Sequence, residues 1–242
     1  MINIAKVTIK GVIVSNDDYE IYQWFGIEAV SPNQVAEQIS SANGEALEVD
    51  INSGGGDVYA GSEIYTALKE YKGDVTTRIV GVAASAASVA AMGGRKVMIS
   101  PTAQMMIHNV SSVSRGDYRD HQHESDVIKN YNKSIANAYI LKSGLSEAEI
   151  LDLMDKESWF TAQQALEKGL VDEIMFDNSL KLSASLGASG MLPPEVINRI
   201  RNELVKAKNA KNEEQHEPER TPQAPLSLLQ RKMNLKGRVL TR

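Results

Sequence analysis

The chain has 242 residues, 42% of them hydrophobic and 24% charged, a balance that suits a soluble domain with a sizeable core and room for an appendage. It contains no cysteine, which excludes disulfides, thiolate metal sites and a cysteine nucleophile, and leaves nucleophilic chemistry to serine, threonine or another side chain. The net charge of −5 is unevenly spread: residues 181–242 hold 12 Lys and Arg against 6 Asp and Glu, leaving 14 against 25 for residues 1–180, so the acidic body is a poor surface for nucleic acid and the basic tail suits acidic partners.

From the N-terminus, "MINIAKVTIKG" alternates apolar and polar residues and has none of the features of a secretory leader, and a cytoplasmic protein is expected. The alternation predicts a first strand that begins by about Lys6 and carries Val7 and Ile9 on one face. Ser31-Pro32 with Gln34 then signals a helix start. "ALEVDI" predicts a second strand through Leu47, Val49 and Ile51, followed by the glycine run Gly54–Gly56 and a helix with the stripe Ile64, Tyr65, Leu68 and Tyr71. Strands are expected at "VTTRIV", "KVMI" and "QMMI", the last two separated by a turn at Ser100-Pro101. The longest apolar run, about Ile79 to Met92, is too short for a membrane span, which takes about 20 residues.

Residues 117–142 read as one long helix with Val127, Tyr131, Ser134, Ala138 and Leu141 on one face; at 1.5 Å per residue it is roughly 40 Å long, more than a domain of this size needs. Capping boxes recur at Ser146 with Glu149 and at Thr161 with Gln164. Alternating strands and helices point to an α/β core over residues 1–177. After Asp177 the chain reads as a Ser/Gly/Pro-rich linker, a short amphipathic helix with Val196, Ile197, Ile200 and Leu204, and a polar, basic, largely disordered tail, so residues 178–242 are set apart as a second region.

Four features bear on chemistry. Ser85, in "GVAASAASVAAMGG", falls between a strand and an alanine-rich helix, where a serine serves either as an N-cap among small packing residues or as a nucleophile held at a sharp turn. "INSGGGDV" lets the backbone approach a ligand, or is a plain turn; it lacks the Lys-Ser/Thr of a phosphate loop. His108 ends an apolar strand, as a core histidine or a functional one, whereas His121 and His123 point to different sides of a helix and suit a solvated face rather than a metal. "LMDKESWFTAQQALEKGLVDEI" offers Asp155, Glu157 and Asp172 as carboxylates.

Taken together and in this order, "INSGGGDVYAG", "GVAASAAS", "MMIH" and "ESWFTAQQALEKGLVD" resemble the Clp protease proteolytic subunit (ClpP) family of serine peptidases over about residues 3–176. Asp57 after the glycines and Trp159 near the third site are similar to phage and prophage members that act as head maturation proteases. The resemblance implies a ClpP/crotonase-like α/β fold with repeated ββα units and a long protruding handle helix over 117–142. It makes Ser85 the nucleophile, leaves Ser88 to helix packing, and makes His108 the base. The family's carboxylate falls on Glu157, where Asp is usual, with Asp155 as its rival. The oxyanion-hole N–H groups fall on Gly56 and Ala86; Gly54 stands where the family commonly has proline, which loosens the loop.

No cofactor and no metal are implied. The expected assembly is a homo-oligomeric ring, often heptameric and stacked into a double ring, acting on scaffold or capsid proteins. Because little chain precedes the first strand to engage an unfoldase, ATP-independent cleavage is expected. The alternatives are a housekeeping peptidase fed by an ATP-driven unfoldase, a crotonase-fold enzyme acting on acyl-coenzyme A, and a catalytically silent ring.

Overall fold

The computed structural model describes residues 4–177, so the expected linker, amphipathic helix and basic tail of 178–242 lie outside the described residues. Strand β1 (Ile4–Ile13) is followed by a short helix α1 (Tyr19–Trp24), a two-residue strand β2 (Ala29–Val30) and helix α2 (Pro32–Ser41). β3 (Ala46–Gly56) leads into α3 (Val58–Glu70), and β4 (Val75–Ala84) into α4 (Ala86–Ala91). Then come β5 (Lys96–Ile99), β6 (Gln104–Ile107), the long α5 (Tyr118–Ser143), α6 (Glu147–Asp155), β7 (Ser158–Thr161), α7 (Ala162–Glu167) and β8 (Glu173–Ile174).

The sheet runs β2-β1-β3-β4-β5-β8 with every neighbour parallel. β4 divides its pairing: Thr76–Ile79 lies along β5, whereas Val82–Ala84 lies along β6. Its register against β3 shifts between the Ile51–Ile79 and Ser53–Ala83 pairs, a bulge that bends the strand toward its second partner. β6 in turn pairs antiparallel with β7. The end of β4 is thereby carried into a three-stranded flap, and Ser85 follows directly.

Strands buried on both faces read as continuous apolar runs, yet these alternate, because only one face is covered by helices. Leu47, Val49 and Ile51 of β3 are buried on the covered side with Val7, Ile9, Ile79, Val97 and Ile99, against Val35, Ile64 and Leu68 from α2 and α3. Every residue of α4 is buried, which is why that segment holds only alanine, serine and valine. The opposite face is polar: Arg78 bridges Glu48 and Asp50, and Lys96 pairs with Glu173.

Local start signals act as their sequences predict. Ser31 Oγ accepts from the Gln34 N–H with Pro32 at the first helical position, and capping boxes close at Ser146/Glu149 and Thr161/Gln164. α5 is capped by Asp117 and Asp120 and ends at Gly144 in the left-handed region, φ 74°. Its buried side differs from the expected stripe: Ile135, Ala136, Ala138 and Tyr139 are buried, while Leu141 is 77% exposed. The buried residues of α5 all lie from Ile135 onward, and the packing of α5 against α4 and α6, not the apolar period, selects the buried side.

α1 has no buried residue; Ile21, Trp24 and Phe25, at i, i+3 and i+4, stay exposed. Among the described residues no helix is long and apolar enough to cross a membrane.

Candidate active site

Ser85 occupies the single residue between β4 and α4, with φ 54° and ψ −128°. Such a conformation costs a non-glycine residue about 1–3 kcal/mol and persists only where its surroundings over-determine it. Those surroundings are visible. The Ser85 N–H donates to Met106 O at 3.1 Å, tying the elbow to β6. Its carbonyl accepts from the Ser88 N–H at 2.9 Å, from Ser88 Oγ at 2.7 Å and from the Val89 N–H at 3.3 Å.

Small residues make this packing possible. A Cβ on Gly55, whose φ is +96°, would stand 2.6 Å from Ala84 O and 2.7 Å from Ser85 Cβ. A Cβ on Gly61 would stand 2.8 Å from Ala86 Cβ. The glycine run is therefore no loop after a strand, as its composition suggests: it is the last part of β3, paired with β1 at Val12–Gly55 and Ile13–Gly56, and it abuts the Ser85 elbow. Gly55→Ala combines a positive φ with a backbone clash, and we expect it to lower Tm by roughly 5–10 °C. Differential scanning calorimetry checks this; an unchanged Tm would mean that the elbow tolerates more space than it has here.

His108 follows β6, whose pairing of Ala84 with Met106 brings the two strand ends level. Its Nε2 lies 2.8 Å from Ser85 Oγ. With Oγ donating, the ring proton sits on Nδ1. His108 is half-buried, and the bland alternative of a core histidine does not describe it.

The two candidate carboxylates part company. β6 and β7 pair Ile107 with Ser158, the residues that adjoin His108 and Glu157 in the chain. Glu157 has φ 47° and an exposed side chain, and its N–H donates to Met154 O at 3.1 Å. Asp155 accepts from Asn109 Nδ2 at 2.7 Å. Among the described residues no hydrogen bond joins either carboxylate to the His108 ring. Asp172 is elsewhere, accepting from the Val97 N–H at 2.6 Å and pairing with Lys142.

Ser85 and His108 open into a cleft of about 280 Å³ that Gly56 and Ala86 also line. Ala86 is the first residue of α4, so its N–H has no intrahelical acceptor. Val110, Val127, Ile128 and Ile135 give the cleft an apolar wall, and Tyr59 meets Tyr131 edge to face at 4.8 Å. Burial, and then the neighbouring Tyr59, push the Tyr131 phenol up from its ordinary pKa.

Sequence reasoning missed Tyr59, Val110 and Tyr139 as residues lining the same cleft as the serine; they come from α3, the stretch after β6 and α5, and no local pattern marks them. Among the described residues no group of three or more His, Asp or Glu side chains converges as a metal site, and His121 instead hydrogen-bonds Ser114 at 2.9 Å.

Comparison with known proteins bears on this arrangement. Residues 26–178 match the model of the family described as Clp protease. An ATP-dependent Clp protease proteolytic subunit of Bacteroides fragilis is 34% identical over 134 residues, which is 54% of this chain and 65% of that protein. The ATP-dependent Clp protease proteolytic subunit 1 of Streptomyces avermitilis is 34% identical over 157 residues, 62% of this chain and 71% of its own length. A Deinococcus radiodurans proteolytic subunit is 30% identical over 155 residues, covering 62% and 76%. The chain thus spans just under two thirds of the Bacteroides relative and somewhat more of the other two. The family match covers the strand that carries the glycines, the Ser85 elbow, His108 and both candidate carboxylates, and the chain belongs to the Clp protease family.

Proposed function

We propose that this protein is a serine endopeptidase in which Ser85 is the nucleophile, His108 the general base and Glu157 the carboxylate that orients the imidazole. The observation that carries the reading is the 2.8 Å contact between Ser85 Oγ and His108 Nε2 at a strained elbow facing an open cleft. A hydroxyl is a weak nucleophile until a base takes its proton. As Oγ bonds to the peptide carbonyl carbon, its proton passes to Nε2. The carbonyl oxygen becomes an oxyanion beside the Gly56 and Ala86 N–H groups, each such donor being worth about 3 kcal/mol in other hydrolases. His108 then returns the proton to the leaving amine, and water, deprotonated by the same ring, releases the acyl group from Ser85.

Asp57 and Trp159, the residues similar to phage-type members, favour a role in capsid maturation, with scaffold or capsid proteins as substrates, in the cytoplasm or inside a procapsid. Asp57 has a structural use as well, since its Oδ1 caps α3 through the Ala60 N–H at 2.7 Å. A homo-oligomeric ring fits the long α5, which has no buried residue before Ile135 and, apart from the side chains that line the cleft, leaves its first turns for contacts outside the domain. The relatives are named ATP-dependent, which favours a second reading, a housekeeping peptidase served by an unfoldase.

Unfolded casein separates the two. Purified protein is expected to cleave it without nucleotide or chaperone. Cleavage only after a host unfoldase and ATP are added would decide for the housekeeping reading, and no cleavage under either condition would count against a peptidase.

A further inference from the structure

Ser88, one turn beyond the nucleophile, is fully buried, and so is Tyr139 on α5. Their hydroxyl oxygens are 2.7 Å apart, and Ser88 Oγ is also 2.7 Å from the Ser85 carbonyl oxygen. A carbonyl only accepts, so the single Ser88 hydroxyl proton goes to Ser85 O, and Tyr139 must donate across the other contact. A directed chain results: Tyr139 O–H to Ser88 Oγ, Ser88 O–H to Ser85 O. Burial raises the Tyr139 phenol pKa, which keeps the donor protonated.

The chain ends on the backbone of the one residue whose conformation the reaction depends on. Of the three donors to Ser85 O, two are main-chain N–H groups that any residue supplies at a helix start. Only the Ser88 hydroxyl is specific to this sequence. A serine that hydrogen-bonds back to a carbonyl within its own helix is commonplace, but this one reaches a residue outside the helix, at φ 54°, and is itself fixed by a second buried hydroxyl.

We infer that Ser88 and Tyr139 are positioning residues, a buried hydroxyl relay that holds the Ser85 carbonyl and through it aims Ser85 Oγ at His108. The inference rests on the peptidase reading above. Tyr139 lines the cleft, but both hydroxyls are buried against each other, so the relay acts on kcat and on the rate of acylation and leaves KM alone.

The test sets stability against turnover. Ser88→Ala strands the Tyr139 hydroxyl in the core without an acceptor and is expected to lower Tm by about 5 °C. Adding Tyr139→Phe removes the stranded group, and Tm returns near the wild-type value. Turnover does not return: the double variant, like Ser88→Ala, keeps a kcat roughly tenfold below wild type with KM within twofold, and its reaction with a fluorophosphonate slows to the same degree. Tyr139→Phe alone frees the Ser88 hydroxyl to swing and costs about threefold.

A purely structural role gives a different pattern, with kcat recovering alongside Tm in the double variant. That pattern, a loss in KM instead, or kcat within twofold of wild type throughout, overturns the inference. Should Ser88→Ala alone fail to fold, the double variant compared with Tyr139→Phe carries the test, the double having to be the slower. A wild-type protein unreactive at Ser85 sinks the peptidase reading and this inference together. Reactive wild type with unimpaired variants sinks only the relay.

Discussion

Ser85→Ala is expected to abolish fluorophosphonate labelling and to lower peptide turnover by about four orders of magnitude or more, leaving only what substrate binding and oxyanion contacts supply. Ser111 and Ser112 also line the cleft, but the His108 ring hydrogen-bonds Ser85 Oγ and neither of them. Ser88, the neighbouring serine, is buried and has its proton committed to Ser85 O, so its oxygen has no line to a substrate. Ser88→Ala must therefore still label at Ser85, only more slowly. Mass spectrometry of the labelled peptide separates the two positions. An adduct that forms in Ser85→Ala would move the nucleophile elsewhere and undo the reading of the elbow.

Glu157→Gln should cut kcat by about a thousandfold, with Asp155→Asn within fivefold of wild type. The first figure follows from neutralising the carboxylate that fixes a catalytic imidazole, which in other serine hydrolases costs up to about 10⁴. Glutamine keeps the size of the side chain and removes only its charge, so a fall in rate with an unchanged Tm reports on the imidazole and not on folding. Asp155 is committed to Asn109 at 2.7 Å, and asparagine preserves an oxygen there to accept the same bond. In the free protein no hydrogen bond joins Glu157 to the ring, and catalytic hydrogen bonds commonly tighten only when substrate closes the site. The opposite ranking of the two variants would assign the third role to Asp155.

Much was legible from short windows. The capping boxes at Ser146 and Thr161, the proline-started α2 and the alternation of β1 and β3 each depend on hydrogen bonds or faces within about one turn or a few strand residues. The serine after paired alanines and the histidine at a strand end were each open to a packing role when read locally, and only the resemblance carried by four motifs in order singled them out. α1 was not read, since its six residues span less than two turns, too short for the helical spacing of Ile21, Trp24 and Phe25 to repeat. The buried side of α5 was misjudged for a related reason: a period shows that a helix has an apolar stripe, but the crossing over α4 and α6 decides which residues it covers.

By itself, then, the sequence determined the alternating α/β order and the helix starts, consequences of interactions that close within a few residues, whereas Ser85 and His108 were singled out only through the family resemblance of several motifs taken together. Tertiary structure alone decided that Ser85 and His108, 23 residues apart, meet at 2.8 Å, because β4 bends and pairs its last residues with β6. It set Ile107 against Ser158 across the antiparallel β6–β7 pair, next in the chain to His108 and Glu157. It also placed Tyr139, 51 residues beyond Ser88, against the Ser88 hydroxyl. Strand register and helix crossing are settled by side chains that interlock between distant segments, and a window of neighbouring residues contains only one side of each such contact.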